Sequence, residues 1–234
     1  MTERGRNQSQ RSRDCFIIGP SQLHWDGSCL TIDLDEWSNP IPRRVQGRVR
    51  LYPDALFTAV MPLDPLARHR WGPIAPAARI EVDLHHPALR WQGNAYFDAN
   101  EGDEAIHLPF ADWDWSRSRL ADGSTAVLYD LRLKDGSQRL LALRFRPDGS
   151  INEFAAAERQ RLPDTLWRIR RQMRSESPAQ VLETLEDTPF YQRALLSAQV
   201  CGEPTTTFHE SLDLRRLDRT STRLMLPWRM PRLA

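Results

Sequence analysis

The stretch from Trp91 to Arg117 crowds carboxylates and indoles together. It reads Trp91-Gln92-Gly93-Asn94-Ala95-Tyr96-Phe97-Asp98-Ala99-Asn100-Glu101-Gly102-Asp103-Glu104, and soon after Trp113-Asp114-Trp115-Ser116-Arg117. Ordinary packing does not need acids and aromatic rings at this density. A carboxyl group walled by apolar rings is pushed toward its neutral form and can hold a proton ready to donate. The same ring faces stabilise a cation. Together they point to chemistry on an apolar substrate that passes through a positive charge.

Spacing sharpens the candidates. In extended backbone, residues two apart share a face. Tyr96 and Asp98 then present a phenol and a carboxyl group side by side, with Phe97 between them. His69-Arg70-Trp71 repeats the spacing. A histidine can relay a proton or orient a water near neutral pH, and Trp71 can face a cation. Trp113 and Trp115 share one face, leaving Asp114 and Ser116 on the other. Each group has an ordinary structural alternative. Asp98 can open a turn by bonding its own backbone, His69 can be a surface residue beside a packed Trp71, and the two indoles can be core residues of a barrel wall. Asp98, Asn100 and Asp103 are also possible calcium ligands, but the EF-hand template needs Gly sixth and Glu twelfth. Counted from Asp98, Gly102 falls fifth and Pro109 twelfth. No Ser-His-Asp spacing, phosphate loop or dinucleotide fingerprint is present. His107 and His209 receive no role.

The elements that must position these groups are strands. Leu30 to Asp35, Arg48 to Leu51 and Arg79 to Leu84 alternate apolar and polar residues, the period of half-buried strands. Asp26-Gly27 is a hairpin turn. Thr125–Leu133 and Gln138–Phe145 form a hairpin around Lys134-Asp135-Gly136-Ser137. Leu166 to Arg170, Val181 to Leu185 and Thr207 to Leu212 continue the pattern, and residues 188–200 read as strand rather than helix. Glu153 to Arg161 offers two turns of helix before Pro163. Pro62 to Pro65 and Pro73 to Pro76 read as connectors, and Asn100 to Asp112 as irregular, with a domain boundary near residue 110. Short, evenly spaced strands separated by turn residues imply an all-β sandwich or barrel.

Composition bounds the function. The 234 residues carry a net charge of +1, which does not favour nucleic acid as a partner. They are 40% hydrophobic and 27% charged, yet no apolar run approaches the ~20 residues of a membrane span. The polar, basic stretch Met1 to Arg13 is not a secretory signal. Three cysteines far apart give neither a zinc spacing nor a redox pair, which favours a reducing compartment. Eight Trp, 17 Pro and 11 Gly suit a β-rich protein with many corners.

Several long motifs in one order carry a resemblance. They are His69-Arg70-Trp71-Gly72-Pro73-Ile74-Ala75-Pro76, Tyr96 to Glu104, Trp113 to Arg117, Leu185-Glu186-Asp187-Thr188-Pro189-Phe190-Tyr191, His209-Glu210-Ser211-Leu212, and Met225 to Pro231. The chain closely resembles the carotenoid 1,2-hydratases, or hydroxyneurosporene synthases, of phototrophic bacteria. The resemblance implies two lipocalin-like antiparallel β-barrels, 1–110 and 111–234. Relatives usually carry a further apolar, aromatic-rich segment before the Met-Thr-Glu-Arg stretch, so the N-terminal barrel is expected to lack its first strands. A smaller departure is Ala105-Ile106-His107, where relatives tend to have Pro-Leu-Glu. The implied reaction adds water to the terminal double bond of an acyclic carotene such as neurosporene or lycopene, giving a tertiary alcohol with no redox cofactor or metal. It implies a cytoplasmic protein with peripheral contact to the photosynthetic membrane. Asp98 is then the proton donor, with Tyr96, His69 and Trp71 around the substrate end. Trp113, Trp115 and Phe97 would add to the aromatic wall, and His69 or a second carboxylate such as Glu104 would orient the water. The rival readings are a lipocalin-like carrier without turnover and an assembly protein of the photosynthetic membrane. The basic, aromatic tail Leu226 to Arg232 reads as a strap across the barrel, or as a contact with a membrane or partner.

Overall fold

Alternating residues become strands nearly everywhere the pattern is strong. The computed structural model describes residues 5–38 and 41–225, apart from the side chains at 223 and 225, so the expected tail strap lies outside the described residues. A first group of strands comprises β1 (Ser9–Arg11), β2 (Cys15–Ile18), β3 (Ser21–Trp25), β4 (Leu30–Trp37), β5 (Arg44–Pro53), β6 (Met61–Pro62), β7 (His69–His86) and β8 (Leu89–Gly102). They form an antiparallel sheet in the order β1-β2-β3-β4-β5-β7-β6, with β8 also paired to β7. Next come β9 (Phe110–Arg119), β10 (Thr125–Leu133), β11 (Gln138–Phe145), β12 (Ile151–Glu153), β13 (Arg159–Arg161), β14 (Gln172–Arg174), β15 (Gln180–Asp187), β16 (Tyr191–Val200) and β17 (Glu203–Asp213). Seven of these form a second sheet, β12-β11-β10-β9-β17-β16-β15, and β13 and β14 form a separate ribbon. Two short helices follow, α1 (Leu214–Leu217) and α2 (Thr220–Met225). The fold is all-β and built on two antiparallel sheets, as expected.

By packing, the chain forms two compact units. Among the described residues, the first takes 5–38, 41–54, 78–97 and 225; the second takes 55–77 and 98–224. Strands β7 and β8 each run from one unit into the other. In the first unit, Arg48 bonds Asp33 at 2.6 Å and Arg44 bonds Asp35 at 2.9 Å across one face of β4 and β5. Val49 and Val82 pair on the other face. Gly47 bulges the β5–β7 ladder: its φ is +151°, and a Cβ there would meet the Asp83 carbonyl oxygen at 2.4 Å.

The second unit holds most of the core. Strand β10 is buried along almost its whole length because both faces are covered. One face meets an aromatic layer. The other meets the ribbon, where Leu162 and Met173 pack with Leu128, Ala194 and Leu196. Asp130 on that face clamps both ribbon strands, accepting from Arg159 and Arg174, each at 2.6 Å.

Four local expectations are corrected. Pro73 to Pro76 is not a connector but lies inside β7. The ladder to β6 ends at Trp71 and that to β5 begins at Ala78. Proline, which has no N–H for a ladder, is tolerated between the two. Leu166 to Arg170 is a turn rather than a strand, because Arg168 takes a left-handed φ of +52°. Glu153 to Arg161 ends one strand and starts another, with no helix between. The irregular stretch shrinks to 103–109, since β8 extends through Gly102 and β9 starts at Phe110.

Candidate active site

Alternation along β9 and β10 builds the aromatic layer. Tyr129 pairs with Trp115 and Leu131 with Trp113, so these side chains share one face of the sheet. Segment 55–77 of the same unit supplies the opposing rings. Seven rings join edge to face in a continuous run. His69 meets Phe110 at 5.2 Å, Phe110 meets Trp113 at 5.8 Å, and Trp113 meets Tyr129 at 5.7 Å. Tyr129 meets Trp71 at 5.7 Å, Trp71 meets Phe145 at 6.0 Å, and Phe145 meets Phe57 at 5.3 Å. Edge-to-face packing sets each ring's positive edge against its neighbour's negative face.

A carboxyl group hangs from this run. The indole Nε1–H of Trp71, a residue with no exposed surface, donates to Asp98 Oδ2 at 2.7 Å. Asp98 itself is half-buried. This bond fixes the carboxyl group beside Tyr129, whose phenol is driven up by burial and further by the nearby Asp98 and Glu210 carboxylates. Tyr129 therefore stays a neutral phenol through the physiological range.

His69 is held as firmly. Its backbone N–H donates to Asp64 Oδ2 at 2.6 Å, and the residue is 4% exposed. Burial alone would raise the Asp64 carboxyl, but the N–H groups of His69, Arg68 and Leu66 outweigh it and hold it below its ordinary range. Gly102 seats the imidazole: a Cβ there would lie 2.5 Å from His69 Nδ1. The ring's Nε2 is buried and has no hydrogen-bond partner among the described residues.

The sequence candidates separate accordingly. His69, Trp71, Asp98 and Trp113 join the run of rings in the second unit. Trp115 lies on the same face but packs against Phe208, at 6.4 Å. Glu104 ion-pairs with Arg68 at 2.9 Å, beside the Arg70 pairs with Glu101 and Asp103. Tyr96 and Phe97 are half-buried at the end of the first unit's share of β8. Sequence reasoning missed Phe57, Phe110, Tyr129, Phe145 and Gly102. The alternation of Thr125 to Leu133 placed Tyr129 on a strand, but nothing local said which face would meet Trp71.

The opposite face of β9 is polar. Asp114 accepts from Arg132 at 2.7 Å and from Ser211 at 2.5 Å, and Arg132 also bonds Asp112. His209 there is 1% exposed and donates through Nε2 to the Gln172 carbonyl at 2.8 Å. This network holds β9 and β17 in register behind the rings.

A family model for the carotenoid hydratase CrtC matches residues 1–234. The acyclic carotenoid 1,2-hydratase of Rubrivivax gelatinosus is 57% identical over 236 aligned positions, covering 100% of this chain and 58% of that protein. That of Thiocapsa roseopersicina is 49% identical over 236 positions, with the same two coverages. That of Rhodobacter capsulatus is 42% identical over 240 positions, covering 100% of this chain and 84% of the relative. The chain thus spans 58% of the length of the first two relatives.

Proposed function

The chain belongs to the CrtC carotenoid hydratase family, and from that premise we propose that it adds water to the terminal carbon–carbon double bond of an acyclic carotene such as neurosporene or lycopene. One observation carries the reading: a carboxyl group, Asp98, fixed by the Trp71 indole N–H at the edge of a buried run of rings.

In this reading the alkene π electrons take the proton from the Asp98 oxygen that does not accept from Trp71. A C–H bond forms at the less substituted carbon, and its neighbour becomes a tertiary cation. Ring faces of Trp71, Tyr129 and Trp113 stabilise that cation, each by about 0.5–2 kcal/mol. A water oxygen then bonds to the cation and loses a proton, which returns through a relay to Asp98. The sum is one water added and no change in oxidation state. The buried Nε2 of His69 suits the orienting of that water better than Glu104, whose carboxylate is engaged by Arg68. Trp115, on the same face of β9 as Trp113, extends the substrate-facing set. Because acyclic carotenes dissolve in bilayers, peripheral contact with the photosynthetic membrane belongs to the same proposal. No described helix is long and apolar enough to cross a membrane.

Incubation with lycopene followed by chromatography tests this. The expected product is a tertiary alcohol heavier by one water. Made in heavy water, it keeps one carbon-bound deuterium beside the hydroxylated carbon. Asp98→Asn is expected to yield no alcohol while keeping the wild-type Tm. Near-normal turnover in that variant removes Asp98 as the acid. A wild-type chain that binds lycopene and returns it unchanged is a carrier.

A further inference from the structure

A turn in the second unit displays what a soluble fold normally hides. Leu166 is 89% exposed and Trp167 47% exposed, while Ile169 beside them is buried at 1%. Arg168, between them, holds a φ of +52°, a left-handed conformation that residues with a Cβ seldom adopt.

The turn is braced. The Arg168 N–H donates to the Thr165 carbonyl at 2.9 Å and the Ile169 N–H to Thr165 Oγ1 at 3.1 Å. The Leu166 N–H donates to Asp187 Oδ2 at 2.8 Å. The Arg216 guanidinium donates to the carbonyls of Trp167 and Arg168. A backbone fixed this way, with one strained residue, holds Leu166 almost wholly and Trp167 about half in solvent.

Their surroundings are basic. Arg168 and Arg170 are exposed and have no ion-pair partner among the described residues. Of the nearby carboxylates, Asp164 pairs with Arg161 at 2.8 Å, and Asp187 accepts the Leu166 N–H through Oδ2 while its Oδ1 is turned inward, buried away from the two arginines. Leu185, two residues before Asp187 on β15, is a further exposed apolar side chain, 44% exposed.

We propose that the Thr165–Arg170 turn docks the protein on an anionic lipid bilayer. Leu166 and Trp167 enter the boundary between headgroups and acyl chains, where an indole is favoured. Arg168 and Arg170 meet the lipid phosphates. This assigns a surface to the membrane contact suggested above, but it does not depend on hydration being the reaction.

The test is co-sedimentation with phosphatidylcholine vesicles, with and without about one third phosphatidylglycerol, in the absence of carotene. Binding is expected to need the anionic lipid and to weaken as salt rises. Leu166→Glu with Trp167→Glu is expected to lower the affinity at least about tenfold. Arg168→Ser with Arg170→Ser is expected to remove most of the dependence on phosphatidylglycerol. All four side chains are exposed, so an unchanged Tm certifies the fold of each variant. The proposal is overturned if the wild-type chain ignores anionic vesicles, or if the Glu pair binds them as well as wild type does. It is equally overturned if the Glu pair converts a dimer to monomers without altering vesicle binding, since the turn would then join two copies. With no carotene present, none of these outcomes bears on the hydration reading.

Discussion

At the scale of single residues, the Trp71–Asp98 bond decides most. In the proposed reaction Trp71 contributes both a ring face and an N–H, and the two roles can be separated. Trp71→Phe keeps an aromatic ring in the buried slot and deletes the donor. As the proton leaves Asp98 the bond becomes one to a charged carboxylate, which contributes about 1.5–3 kcal/mol, so kcat is expected to fall about ten- to hundredfold while substrate affinity changes little. An unchanged kcat in steady-state assays would reduce the indole to packing. His209 gives a pH prediction. Burial lowers its pKa, against the opposing pull of Asp114 and the Gln172 carbonyl, so the native imidazole stays neutral. Below about pH 6.5 the unfolded chain binds a proton that the native His209 refuses. Stability therefore rises with pH through this window and is lost as pH falls. His209→Gln keeps a donor for the carbonyl but does not titrate. Its Tm difference between about pH 7.5 and about pH 5.5 is expected to be smaller than that of wild type.

At the scale of elements, local chemistry and long-range pairing divide the work. The β10–β11 hairpin was legible because its turn is local: Asp135 accepts from the Ser137 N–H at 2.8 Å and its hydroxyl at 2.6 Å. Leu166 to Arg170 carries the same apolar–polar alternation as the strands. It became a turn because Thr165 and Arg216 satisfy its backbone and no partner strand arrives. The β13–β14 ribbon is too short to hold itself against the sheet, and Asp130 supplies the clamp. Asp130→Ala would leave Arg159 and Arg174 without their carboxylate in a largely buried setting. We expect a loss of about 3 kcal/mol and a fall in Tm of about 6–12 °C by calorimetry. A Tm within a degree or so of wild type would show that apolar packing alone docks the ribbon.

At the scale of the whole molecule, the two units are unequal. The largest fully buried side chains among the described residues, including Trp71, Phe110, Phe145, Leu131 and Leu196, all belong to the second unit. In the first unit most strand residues are only half-buried. Amides with few buried apolar neighbours open at lower free energy. Hydrogen exchange is therefore expected to be slowest in β9, β10, β16 and β17 and faster across β1 to β5. Equal protection throughout would mean the chain opens only globally.

The sequence by itself determined the strand-rich class, the turns whose residues bond their own neighbours, and the short list of acids and rings fit for cation chemistry. These depend on interactions within a few residues, which spacing reports directly. Only the tertiary structure decided which candidates meet. Trp71 reaches Asp98 across 27 residues, and Tyr129 and Phe145 close around the indole from two further positions in the chain. Ladder register chooses those encounters, and a slip of one residue would turn every ring to the other face.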